Sequence, residues 1–125
     1  MKSSIVKDKS YSFALRVITM AKWLRAQKEF EIARQILRSG TSIGSNVEEA
    51  LAGISRADFI AKMSIASKEA RETHYWLRLL RDSKTVPESK IASLEFESLD
   101  LIRILTAIVK TSQANTANSK LKIKN

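Results

Sequence analysis

The chain has 125 residues, with 22 Lys and Arg against 13 Asp and Glu, a net charge of +9 at pH 7. That length supports one domain and one core, and so basic a balance in a small domain points towards a polyanionic partner. There is no cysteine, which excludes disulfides, thiolate metal sites and cysteine nucleophiles.

Three glycines and one proline leave little material for turns and favour a few long helices. The opening stretch MKSSIVKDKSYS lacks the apolar segment of a signal peptide, and no apolar run is long enough to cross a bilayer. A cytoplasmic protein with no membrane partner is expected.

Residues 1–9, with Lys2, Lys7 and Lys9, read as a flexible basic lead-in. From about Ser10 the spacing becomes helical, with Phe13, Val17, Met20 and Leu24 on one stripe. Leu15, Ile18 and Trp23 fall outside it, so more than one face of this helix is expected to be covered. A break follows near Gln27 to Phe30, with no Gly or Pro to mark it.

The second helix is predicted from about Glu31 to Ala52. At 100° per residue, Ile32, Ala33, Ile36, Leu37, Gly40, Ile43, Gly44, Val47, Ala50, Leu51 and Ile54 fall within about 140° of arc. Gly40 and Gly44 lie inside that arc, where each costs roughly 0.8–1 kcal/mol against Ala. Glycines kept at that cost mark close helix packing. The opposite side carries Arg34, Arg38, Thr41, Ser42, Ser45, Glu48 and Glu49. Short hydroxyls there indicate a second contact surface. Gly53 reads as the C-cap.

Ser55 and Asp58 form a capping box for a third helix, expected from about Arg56 to Ser83. Phe59, Met63, Ala66, Ala70, Thr73, Leu77 and Leu80 repeat in alternating four- and three-residue steps. A second side holds Ala61, Ile65, Glu69, Glu72, Trp76 and Leu79. Val86-Pro87-Glu88 restarts the chain, with proline at a first helical position and acid in the first turn. The fourth helix carries Ile91, Leu94, Leu101, Leu105 and Ile108 and fades after about Ser112. Residues 116–125 read as a flexible basic tail. Residues 10–115 thus form an all-α, antiparallel up-down-up-down four-helix bundle.

Three blocks carry a family resemblance. The first is Arg34 to Glu49, with an Arg-Gln-x-x-Arg-(Ser/Ala)-x-x-Ser-Ile-x-x-Asn-(Ile/Val)-x-Glu pattern. The second is Ser55 to Phe59, and the third is Ile65 to Leu77. Together they resemble the bacterial four-helix-bundle proteins named after the intervening sequences of 23S ribosomal RNA. That family is similar to the accessory variability protein of diversity-generating retroelements. The resemblance implies a homopentameric barrel, and its retroelement members bind reverse transcriptase and nucleic acid. Five chains at +9 would carry about +45, a strong field for RNA or DNA.

No catalytic residue, cofactor or metal site is expected. The single histidine, His74, sits in a Glu-x-His spacing rather than the Glu-x-x-His of di-iron bundles, and reads as a surface or groove residue. Glu48, Glu49, Glu69 and Glu72 read as partners for Arg34, Arg38 and Arg71, not as an acid–base pair. Basic residues are spread over the first helix, the third helix (Lys62, Lys68, Arg78, Arg81, Lys84) and the tail (Lys120, Lys122, Lys124). Spread charge of this kind suits phosphate contacts without base readout.

Arg16, Lys22, Arg25 and Lys28 are the chosen nucleic-acid contacts, with RNA preferred over DNA. Trp23 beside them reads as subunit packing, with base stacking as the alternative. Arg38, Ser42, Ser45, Glu49, Ile65, Glu69 and Trp76 are assigned to the subunit interface. The competing function is a protein-interaction scaffold that recruits a reverse transcriptase or a ribosomal component.

Overall fold

The computed structural model describes the backbone of residues 2–124 and the side chains of residues 5–121. Four helices follow one another: α1 (Lys2–Ala26), α2 (Phe30–Leu51), α3 (Arg56–Asp82) and α4 (Glu88–Lys124). In space α2 lies between α1 and α3, and α4 closes the bundle against α3 and, more sparsely, α1.

The core is built from seam residues. Phe13, Val17 and Leu24 of α1, Ile36, Ile43 and Val47 of α2, and Met63, Ala66, Ala70 and Leu77 of α3 are all fully buried. Ile91, Leu94, Leu101, Leu105 and Ile108 of α4 complete it. At about 25 cal/mol per Å2 of buried apolar surface, these side chains are the main favourable contribution to folding.

Three boundaries depart from the sequence expectation. α1 begins at Lys2 rather than near Ser10. Val6 and Ser10 are both fully buried and extend the Phe13 seam backwards in the same alternating steps. A buried serine hides that continuation from an apolar pattern. α4 runs on past Ser112 to Lys124, because no Gly or Pro follows Pro87 to stop it. The side chains of Lys2, Lys122 and Lys124, read as parts of the basic termini, lie outside the described residues.

Gly53 is the third correction. α2 ends at Leu51 with Ala52 as C-cap in an ordinary helical conformation, and Gly53 has no positive φ. A Cβ at Gly53 would collide with the Asp58 carboxylate. Gly53 therefore makes room for the next cap, in which Ser55 Oγ accepts from the Asp58 N–H at 3.1 Å. The end of the apolar arc is also missed: Leu51 is exposed and Ile54 fully so.

The two breaks that lack glycine are closed in one way. Among the described residues, Lys28 (φ 65°) and Lys84 (φ 61°) are the non-glycine residues with positive φ. At the first, the Glu29 N–H reaches Leu24 O at 2.9 Å and the Lys28 N–H reaches Arg25 O at 2.9 Å. At the second, the Thr85 N–H reaches Leu80 O at 3.1 Å and the Lys84 N–H reaches Arg81 O at 3.0 Å. Both are Schellman closures with lysine where glycine is usual.

Both remaining glycines are buried in α2 against α1. A Cβ on Gly40 would stand 2.7 Å from Val17 Cγ1, while one on Gly44 would stand 3.4 Å from the Ser10 carbonyl oxygen. The tighter approach is at Gly40 and involves a side chain; at Gly44 it is the α1 backbone that comes near.

Candidate functional site

Three surface regions carry chemistry. The first joins α2 to α3. Arg38 donates to Glu69 at 3.0 Å and pairs with Glu72, whose carboxylate also accepts from Trp76 Nε1 at 3.2 Å. Beneath them the Thr73 hydroxyl donates to Ser39 Oγ at 2.8 Å, fully buried. Glu69 is only 7% exposed, and Arg38 compensates the cost of burying its polar group there. Desolvation would lower the Arg38 pKa, but hydrogen bonding to Glu72 and the charge of Glu69 outweigh it and raise it.

Of the residues assigned to a subunit contact, the structure thus gathers Arg38, Glu69 and Trp76 into one network within the chain. Glu49 pairs with Lys62 at 3.3 Å. Ser45 donates to Ser42 O, and Asn46 donates to both the carbonyl and hydroxyl of Ser42, so these hydroxyls turn back on their own helix. Ile65 and Leu79 flank the network as exposed apolar side chains.

The second region is cationic and lies between α3 and α4. Arg71, Ile102, Arg103, Thr106, Ala107 and Lys110 line a shallow depression of about 410 Å3. Arg71 donates to the Thr106 hydroxyl at 3.0 Å, and no carboxylate lines the depression. Further along α3, the Arg78 guanidinium sits 5.7 Å from the Tyr75 ring centroid. None of Arg71, Arg78, Arg103 and Lys110 forms an ion pair among the described residues. The sequence reading missed this grouping. Its signal was a heptad step, Arg71 to Arg78 on α3 and Arg103 to Lys110 on α4, which keeps each cation pair on one helix face.

Next to this region, His74 Nδ1 meets Ser98 Oγ at 2.9 Å, and the Ser98 hydroxyl donates to Glu95 O at 2.8 Å. With its proton used there, Ser98 accepts from Nδ1–H. Desolvation, then the charges of Arg78 and Arg81, lower the His74 pKa. Arg81 itself is held by Glu95 at 2.6 Å and by Asp82.

The third region lies between α1 and α4. Arg16, chosen from the sequence as a phosphate contact, instead pairs with Glu97 and donates to Ser93 at 2.7 Å. Lys22, Arg25 and Lys28, the other chosen contacts, are exposed and without an ion pair among the described residues. Trp23 is half-buried and lines a cavity of about 390 Å3 together with Arg16, Thr19, Met20, Lys90 and Leu94. Lys90 Nζ stands 5.2 Å from the centroid of the Trp23 ring. Among the described residues no three His, Cys, Asp or Glu side chains group as a metal site, and no helix is long and apolar enough to cross a membrane.

Fold and surface together define a small, cationic, all-helical bundle protein. Residues 2–107 match the family described as 23S rRNA-intervening sequence protein, and the chain belongs to that family. A similar solved structure is a protein of unknown function from the S23 ribosomal protein family of Bacteroides thetaiotaomicron. It is 48% identical, with a TM-score of 0.84, over 88% of this chain and 99% of that one. Comparison with curated proteins finds no match.

Proposed function

We propose that this chain is a non-enzymatic, cytoplasmic nucleic-acid-binding protein, an antiparallel bundle that assembles with copies of itself, and that RNA is preferred to DNA. The single observation that carries the binding is the α3–α4 depression, where Arg71, Arg103 and Lys110 surround one shallow surface free of carboxylates. Cations without an internal counter-charge keep their field for an external anion, and phosphates are the densest biological source of it. Three contact pairs support the antiparallel order between α1 and α4: Lys9 with Asp100, Arg16 with Glu97, and Trp23 with Lys90. Exposed Ile65 and Leu79 beside the Arg38 network support self-assembly, for which a homopentamer is the expected form.

A second reading, a scaffold that recruits a protein partner, draws on exposed Tyr11, Leu15 and Phe96. One experiment decides between them. Binding to RNA and to duplex DNA is measured across a salt series, with the assembly mass followed in the same samples. Affinity should fall steeply with salt, and charge reversal of Arg71, Arg103 and Lys110 together should reduce the slope of log K against log salt by about 2–3. An assembly that ignores both nucleic acids at physiological salt would transfer the assignment to the scaffold.

A further inference from the structure

We infer that the groove between α1 and α4 holds one unstacked base of a single-stranded nucleic acid, stacked on Trp23 with its phosphate on Lys90. This rests on the nucleic-acid reading above and narrows it to single strands.

The cavity of about 390 Å3 falls within the size range of small-molecule sites and admits one nucleotide. Met20 (4% exposed) and Leu94 (2%) give it an apolar floor, and the Trp23 ring gives it a flat wall. Both features suit a nucleobase, which has a π-face and little need for hydrogen bonds on its surfaces.

Lys90 sets the charge of the ligand. It is exposed, it has no carboxylate partner among the described residues, and its ammonium lies over the indole. A cation–π contact at an exposed site is weak, whereas a phosphate is a full counter-charge. An incoming nucleotide therefore draws Lys90 onto its phosphate and takes the indole face that Lys90 leaves.

Arg16 has a different part. Glu97 and Ser93 already hold its guanidinium, so it braces the far wall of the groove. Lys22 and Arg25 are exposed and unpaired among the described residues, but they lie about 100° and 160° round α1 from Trp23 and stand outside the groove.

The groove also sorts single strands from duplexes. A base inside a duplex offers only its edges and is stacked on both faces, so it cannot reach a half-buried ring between two helices. The competing occupant is a second copy of this chain.

The test uses the intact protein carrying Trp76→Phe, so that Trp23 is the sole tryptophan fluorophore. It is titrated with a short oligouridylate and with an RNA duplex of the same length, while assembly mass is followed. Single strands should quench Trp23 and duplexes should not. Trp23→Leu and, separately, Lys90→Ala should each weaken single-strand binding about tenfold while leaving duplex binding and mass unchanged. Lys90→Ala alters an exposed side chain and keeps the test decisive if Trp23→Leu fails to fold. Salt-sensitive binding of both probes with unchanged Trp23 emission would overturn the base site and leave the broader function standing. Absence of any binding would remove both. A change of mass in Trp23→Leu would assign the groove to a subunit contact instead.

Discussion

Gly40 of α2 is set so close to Val17 of α1 that a methyl group on it would stand 2.7 and 2.8 Å from the two Val17 methyls. Val17 is fully buried and β-branched, so it has no free direction in which to turn. Gly44, one turn on, has ordinary van der Waals room beside Ser10. The two glycines should therefore respond to alanine in opposite directions. Gly40→Ala is expected to lower stability by about 1–2 kcal/mol, overpacking outweighing the gain in helix propensity. Gly44→Ala should be neutral or more stable by up to about 1 kcal/mol. Urea unfolding of both variants checks this, and equal effects would contradict it.

The lysine closures give a second contrast. A non-glycine residue at positive φ costs roughly 1 kcal/mol, partly offset by a cation's attraction to the carbonyls at a helix end. Lys28→Gly and Lys84→Gly should each raise stability by about 0.5–1 kcal/mol. If Lys28 also contacts phosphate, the first variant will be more stable and bind less tightly. Thermal melts and salt-series binding on the same samples read both quantities.

His74 should make stability depend on pH. Its folded-state pKa is lowered by desolvation and by Arg78 and Arg81, so the unfolded chain takes up the proton more readily. The unfolded state then holds more protons, and stability rises with pH. The contribution is fully present above the unfolded histidine value, near 6.5, and is lost as pH falls through and below it. His74→Gln should remove this dependence. Denaturant midpoints between pH 7.5 and 5.5 would show it as a slope present in the parent and flattened in the variant.

The Arg38 network predicts an asymmetric cycle. Arg38→Ala leaves Glu69 nearly buried without its cation and should cost about 1–2 kcal/mol. Glu69→Gln in that background should recover part of the loss, because a neutral amide tolerates burial better. An Arg38→Ala variant with parental stability would mean that the pair adds only surface complementarity.

How much of this was legible depended on residue type. The Phe13–Val17–Met20–Leu24 stripe and the α4 seam could be read directly, because large apolar side chains recur at seam spacing. The missing positions were hydroxyls. Ser10 completes the α1 seam backwards to Val6, Ser98 fills the step between Leu94 and Leu101, and Ser39 meets Thr73 inside the bundle. Each is buried by satisfying its polar group locally or across the seam, which an apolar pattern cannot register.

The surface was less legible for the same local reason. Arg16, Lys22, Arg25 and Lys28 look alike as letters, yet Glu97, far along the chain, removes Arg16 from the free cations. The α3–α4 depression joins residues from two helices, so its charge becomes visible only once those helices are packed.

α4 has 37 residues, against 25, 22 and 27 in α1, α2 and α3. At 1.5 Å per residue it is about 55 Å long. Its last described turns, from Gln113 to Leu121, contribute no buried side chain. Their helicity rests mainly on helix–coil balance, which weakens continuously on warming instead of breaking at one temperature. Far-ultraviolet ellipticity should therefore drift downward well before the bundle melts, while emission from Trp23 and Trp76, both distant from this tail, stays level. The particle shortens as it warms while its girth stays fixed.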